Sequence, residues 1–457
     1  MTERSRPDYL IQLGTFASDA NLSTLSGAAR ERARWILADC IPVIAAGMQQ
    51  PEMKELVAKQ LPAAGAGTAW VIGTGKRTAP FDAALLNGTA GTWLELDEGN
   101  LFAKGHPGIQ VVPASVATAQ ELNTSGADLL LAVALGYELS ARISRAANVK
   151  LPVHPHGTYG VIGAAIATGK LKGFTAAQMI EVINIAATMS MASSRQTLLD
   201  GATVRNIFTG HSGYMGLMAA RLVECGFTGE RDSVSAVFGK ILSDTGTFDQ
   251  GRVVEGLGSE WLIAQSYFKL HPAGRYAHSA IDALEDLLAT VPGGRLDPVA
   301  IERIEVKAYM LAASLAEKRV TSSFGARFSV PFALASILFH GRSGLVAFDD
   351  AAVANPVVQA LAQRVDLRED TAFTARYPAE QPIEIRVLMR DGKIHTGQCV
   401  ITKGEPAKPH QPEELTAKFF ELGDPIWGRA ITQTLYDGLM NIESIDRFGA
   451  FSAALSL

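Results

Sequence analysis

The chain has 457 residues, 47% hydrophobic and 19% charged. That is a folded globular composition, too long for one small core, and two or three domains are expected. A net charge of −5 argues against a general nucleic-acid binder but leaves room for a local cationic pocket that takes an acidic metabolite.

Cys40, Cys225 and Cys399 are too few and too scattered for a disulfide framework or a Cys-rich zinc site. The segment Met1 to Asp8 lacks the apolar run of a signal peptide. No apolar stretch is long enough to cross a bilayer; the best, Leu129 to Leu135, ends at Gly136. No membrane association and a reducing cytoplasm are therefore expected.

The first 270 residues read as mostly helical. Arg30 to Met48 is Ala-rich and apolar, with Pro42 expected to kink or break it. Asp128 to Ala147 puts Leu130, Val133, Ala134, Tyr137 and Ala141 on one helical face. The small apolar run Gly163 to Gly169 suggests closely packed buried helices. Thr175 and Gln178 form a capping box ahead of Met179, Val182, Ile183 and Ala186, and Tyr214 to Cys225 reads as a further helix. The pattern then changes. Ile301 to Ala308 alternates like a strand, and Ile383 to Met389 and Ile394 to Ile401 flank Asp391-Gly392 as a hairpin with a type I′ turn signal. Val330 to Phe339 and Ala351 to Val365 look helical between them. Residues 273–403 are thus expected to form an α+β unit. The tail from Pro412 returns to helix (Glu413 to Leu422, Trp427 to Met440) and is expected to pack back onto the first domain.

Three segments carry candidate chemistry. Trp93 to Gly108 holds Glu95, Asp97, Glu98, Lys104 and His106, with Gly99, Gly105 and Pro107-Gly108 bending the backbone. Carboxylates, a cation and a group that titrates near neutral pH on one irregular segment suit proton transfer. Val153 to Gly160 adds His154 and His156; Phe268 to His278 adds Lys269, His271 and Arg275. Other motifs fail. Gly73-Thr74-Gly75-Lys76 is followed by Arg77 instead of the Ser/Thr of a phosphate-binding loop, and Gly65-Ala66-Gly67 has no third glycine in register. His154 and His156 are two apart but lack a nearby third metal ligand. No cofactor or metal site is expected, and the chemistry falls to side-chain acid/base groups. His156, His271 and Phe332 read as packed residues, and His340, His395 and His410 as surface residues. Arg275 reads equally as a substrate contact or as the partner of an acid between domains.

Taken in order, Arg34 to Ile41, Leu94 to Glu98, Gly105 to Gly108, His154 to Gly160, Gly201 to Asn206 and Phe268 to Tyr276 resemble the MmgE/PrpD family, which includes 2-methylcitrate dehydratase, cis-aconitate decarboxylase and iminodisuccinate epimerase. The resemblance runs from about Arg30 past residue 400. It implies a mainly α fold. A large all-helical domain is built from both chain ends, 1–272 and 404–457, and a smaller inserted α+β lid domain spans 273–403. It also implies a cofactor-free cytoplasmic homodimer acting on a small carboxylate. The family's loop histidine matches His106, its second histidine His154 and its hinge lysine Lys269. Four positions depart from the family pattern: the acidic loop Asp becomes Glu95, a Thr becomes Gly99, a Lys becomes Arg205, and a lid-helix Tyr becomes Phe332.

The hard step shared by such reactions is making or protonating a carbanion beside a carboxylate, and the developing charge needs fixed cations. Arg205, Lys269 and Arg275 are the residues expected there, with Lys104 a further candidate contact. His106 and His154 are the expected acid and base, with Glu95 or Asp97 orienting a histidine. The primary reading is a hydro-lyase of a small hydroxy di- or tricarboxylate. Behind it stand an epimerase or isomerase, then a decarboxylase, then a non-catalytic carboxylate-binding protein.

Overall fold

The computed structural model describes residues 6–453; residues 1–5, where the segment read as leader-free begins, and residues 454–457 of the tail lie outside it. The described residues form two hydrophobic cores with the candidate segments between them.

The larger core is helical. Gly27–Met48, Pro107–Leu122, Gly126–Ala146, Tyr159–Leu171, Ala176–Thr188 and Ile207–Glu224 pack around one another. Their starts follow local chemistry. Ser26 and Ser125 accept the N–H groups of Ala29 and Asp128, and Thr175 and Gln178 form the expected reciprocal box. Small residues let the helices meet closely. A Cβ at Gly136 would lie 2.5 Å from the Gly163 carbonyl oxygen, and one at Gly88 would lie 2.8 Å from the Gly210 Cα. The tail joins the same core through Leu415, Phe419, Trp427, Leu435 and Leu439. Among the described residues no helix is long and apolar enough to cross a membrane.

The smaller core is α+β. Its four strands run in the order Ile394–Cys399, Ile383–Met389, Ile301–Ala308, Val365–Glu369; the last pair is parallel and the others antiparallel. Alternating Ile383, Ile385, Val387 and Met389 are buried, and the helices His278–Thr290 and Val330–His340 contribute to the same core.

Several expectations are corrected. Helix Gly27–Met48 continues through Pro42, because fifteen of its residues are buried and that packing outweighs the lost backbone hydrogen bond. The helix expected over Ala351 to Val365 is two short helices, Asp350–Ala354 and Pro356–Ala362, followed by a strand. Asn355 ends the first and caps the second, and Pro356 starts the second. The hairpin turn is not type I′: Gly392 alone has positive φ (85°), and Met389 N–H bonds the Lys393 carbonyl across a three-residue loop. That is a type I turn with a glycine bulge. The helix read from Tyr214 begins at Ile207. His410 is not a surface side chain. Its chain segment folds back against Gly404, leaving the side chain 5% exposed and 3.6 Å from Glu414.

Candidate active site

Backbone pairing assembles the site. The two-residue strand Gly99–Asn100 pairs antiparallel with Ser266–Tyr267, which carries the acidic loop to the segment bearing Lys269. Asn100 fastens the loop, its Oδ1 accepting from Phe102 and Ala103 N–H and its Nδ2 donating to Leu262 O. His106 immediately precedes helix Pro107–Leu122. A bridge between Val153 and Ser194, with His154 N–H donating to Ser193 O at 2.8 Å, holds the second histidine segment.

The result is a buried charge network. Glu95 lies 2.7 Å from Arg205 Nη2 and 3.3 Å from Lys269 Nζ, and Lys269 Nζ also lies 3.3 Å from Asp97 Oδ1. Each of these four residues is at most 2% exposed, so the two acids and two cations neutralise one another away from water. Glu95 adopts the left-handed conformation (φ 53°), a strained state for a non-glycine residue. Burial raises the Asp97 pKa, but His106 and Lys269 outweigh it and hold the carboxyl well below the usual carboxylate range. Burial, followed by the charge of Asp97, raises Glu98 to about 8. Glu98 is therefore no solvated loop charge. It is fully buried, accepts from Gly108 N–H at 2.5 Å and lies 3.0 Å from Tyr137 Oη.

The histidines differ in what surrounds them. His106 Nδ1 faces two oxygens, the Glu98 carbonyl at 2.6 Å and Asp97 Oδ2 at 3.1 Å. Both only accept, so Nδ1 carries a proton, and the tautomer without a second proton has its lone pair on Nε2. His154 lies beside two donors, His156 N–H at Nδ1 (3.1 Å) and Arg205 Nε at Nε2 (3.3 Å), of which a neutral ring accepts from only one. Burial, then the Arg205 charge, push its pKa well below 6.5, and His154 is held neutral. His156, expected to be packed, is fully buried, but neither ring nitrogen has a hydrogen-bond partner and it lines the cavity with the other two. Asp97, His106 and His156 can offer a cation three donor atoms within 4.8 Å of one another. Lys269 already occupies Asp97, so a divalent ion there would sit beside a fixed ammonium.

These groups border a cavity of about 110 Å³ lined by Glu95, His106, His154, His156 and Arg205 on one side and by Tyr276, Phe328 and Tyr377 from the smaller core on the other. The expected site residues divide accordingly. Glu95, Asp97, His106, His154, Arg205 and Lys269 come together. Lys104 lines the cavity but its Nζ donates to the Ala147 carbonyl at 2.9 Å. Arg275 also lines it, with its guanidinium on Glu405 at 2.6 Å and over the Tyr267 ring at 4.3 Å. Phe332 lies in the smaller core, fully buried. At Gly99 a Cβ would collide with the Tyr267 phenol, so Tyr267 fills the space a larger residue would take. Sequence reading missed Arg195, Tyr267, Tyr276 and Tyr377 at the cavity. His156 carried a signal, since it shares a motif with His154, whereas Arg195 belongs to no motif.

Comparison with known proteins bears on the same residues. The MmgE/PrpD N-terminal domain matches residues 11–249 and the MmgE/PrpD C-terminal domain matches residues 271–437. A cis-aconitate decarboxylase of Aspergillus terreus is 25% identical over 439 residues, covering 91% of this chain and 89% of that protein. A cis-aconitate decarboxylase-like protein, oryM, of Aspergillus oryzae is 24% identical over 415 residues, covering 82% of each. With both domains matched in order over most of its length, the chain belongs to the MmgE/PrpD family.

Proposed function

We propose that this protein is a carboxylate-acting lyase that removes water from a small hydroxy di- or tricarboxylate without a cofactor, beginning with proton abstraction next to a carboxylate. The observation that carries the reading is His106, its Nδ1–H given to the Glu98 carbonyl with the buried Asp97 carboxylate 3.1 Å away, which leaves the Nε2 lone pair for chemistry. In this reading the α-C–H bond breaks and the proton moves to Nε2. The electron pair spreads onto the adjacent carboxylate as an enediolate, and Asp97 stabilises the imidazolium that results. The pair then closes a C=C bond as the hydroxyl departs, and the imidazolium returns its proton so that the leaving group is water. His154, kept neutral, serves as a hydrogen-bond partner of that hydroxyl. Arg205 and Lys269 place fixed positive charge beside the developing enediolate.

A second reading, favoured by the names of the Aspergillus relatives, is a decarboxylase. Loss of CO₂ would leave a carbanion at the carbon that bore it, and His106, protonated from solvent beforehand, would return a proton to it. Proton NMR in D₂O with a panel of hydroxy-, amino- and unsaturated di- and tricarboxylates separates these. α-Deuteration with new vinylic signals and no CO₂ is expected. Stoichiometric CO₂ would support the decarboxylase, and exchange with inverted configuration alone an epimerase. His106→Ala should slow the reaction by ~10²–10⁴-fold with the fold intact by circular dichroism; undiminished turnover in that variant would remove His106 as the base. A homodimer accompanies this reading, and light scattering of the purified protein tests it.

A further inference from the structure

Four cationic side chains line the cavity: Lys104, Arg195, Arg205 and Arg275. Three are committed. Lys104 donates to the Ala147 carbonyl, Arg205 pairs with Glu95, and Arg275 pairs with Glu405. Lys269, deeper in, is shared by Glu95 and Asp97. The cations of the catalytic floor are thus shared with protein carboxylates, which leaves none of them unpaired for a carboxylate remote from the reacting carbon.

Arg195 differs. Among the described residues no carboxylate pairs with it, and its Nη2 is buried with no hydrogen-bond partner. A desolvated guanidinium nitrogen without an acceptor is costly, and an incoming acceptor would relieve that cost. Its guanidinium carbon lies 5.6 Å from the Tyr276 ring centroid, and Tyr377 lines the same part of the cavity. Its position relative to the reacting groups is set by the main chain. Arg195 N–H donates to Pro152 O at 2.8 Å, in the same Val153–Ser194 bridge that fixes His154 through Ser193 O. The register that places the histidine therefore also places the arginine, at the face where tyrosines of the smaller core close the cavity.

We propose that Arg195 is the receptor for a third substrate carboxylate, one remote from the reacting carbon, and so selects tricarboxylates over dicarboxylates that lack it. The proposal rests on the carboxylate-lyase reading and adds the residue that reads the length and charge of its substrate. A guanidinium suits this task, since its planar fork takes both carboxylate oxygens and stays charged at any working pH.

The test compares two probes by isothermal titration calorimetry: propane-1,2,3-tricarboxylate, and 2-methylsuccinate, which is the same skeleton lacking one terminal carboxylate. Wild-type protein should prefer the tricarboxylate. Arg195→Gln should weaken the tricarboxylate by roughly 10–100-fold, the size of a charge-assisted hydrogen-bond pair, and leave 2-methylsuccinate within about twofold. Arg195→Lys should fall between. Equal losses for both acids, no loss for either, or a wild type without preference would each overturn the subsite. Solvent exchange in D₂O distinguishes this failure from that of the lyase reading. Arg195-dependent preference without exchange on any acid sinks the lyase and keeps the subsite; exchange with an Arg195-independent KM does the reverse.

Discussion

Glu95 and Arg205 make sense as a pair. At both positions the resemblance implies the shorter residue or the simpler cation, Asp and Lys, and here the two side chains lie 2.7 Å apart with Lys269 bridging to Asp97. From the sequence Arg205 is expected where charge develops on the substrate; its guanidinium also contacts Glu95, His154 Nε2 and the Thr92 carbonyl. These contacts hold Glu95 and, with burial, lower the His154 pKa. Arg205→Lys should lower kcat/KM by roughly 10–100-fold, because a point charge replaces a multidentate fork. Glu95→Asp/Arg205→Lys should recover part of that loss, since contacting residues couple. Steady-state kinetics of the two singles and the double check it, and strictly additive losses would mean that the pair does not act as a unit. The acids, His106, His154 and Lys269 were legible in the sequence because their residue types announce charge and proton chemistry. The partner of each was not.

At the scale of elements, the site is held by pieces far apart in the chain. The tail helix Pro412–Trp427 reaches helix Gly27–Met48 through Lys418, whose Nζ lies 2.5 Å from Asp39 Oδ1 and donates to Leu96 O at 2.6 Å. Leu96 lies between Glu95 and Asp97, so this one ammonium fastens the C-terminal helix to the acidic loop. Burial raises the Asp39 pKa, Lys418 opposing it. Removing one member of a buried pair typically costs about 3–5 kcal/mol, while removing both costs far less. Lys418→Met should therefore lower the thermal midpoint markedly, and Asp39→Asn/Lys418→Met should regain most of it by differential scanning calorimetry. A double variant no more stable than the single would show that the Leu96 contact matters more than the pair. Helical periodicity foretold both helices and that the tail folds back. It said nothing of the lysine that ties them to the loop, since one Lys on a helix reads as solvated.

At the scale of the whole molecule, the cleft between two cores concentrates buried charge, and stability should respond to pH. Glu98 is the clearest case. Its folded pKa of about 8 stands above the unfolded value of 4.5, so the folded state binds the extra proton between these values. Its contribution is fully present below about pH 4.5, declines as pH rises through that window and is lost above about 8. Glu98→Gln, which keeps an uncharged group of the same shape, should raise the thermal midpoint at pH 8–9 by about 2–5 °C and change it little at pH 5. An equal shift at both pH values would place the effect in packing instead. The sequence marks Glu98 as one of three loop carboxylates but not as the one that is raised, because nothing local reveals that helices Gly27–Met48 and Gly126–Ala146 close over the loop.

The sequence by itself determined the mainly helical larger core, the hairpin and strands of the smaller one, the family and the chemical groups available for catalysis. Those depend on short-range periodicity and on side-chain identity. Only the tertiary structure decided that Lys269 sits between Glu95 and Asp97, that Asp97 and the Glu98 carbonyl set the His106 tautomer, that the His154 pKa is lowered, and that among the described residues no carboxylate pairs with Arg195. The reason is physical. Protonation and pairing follow distance and dielectric, and Glu95 and Lys269 meet at 3.3 Å across 174 positions of chain whose spacing encodes nothing about that contact.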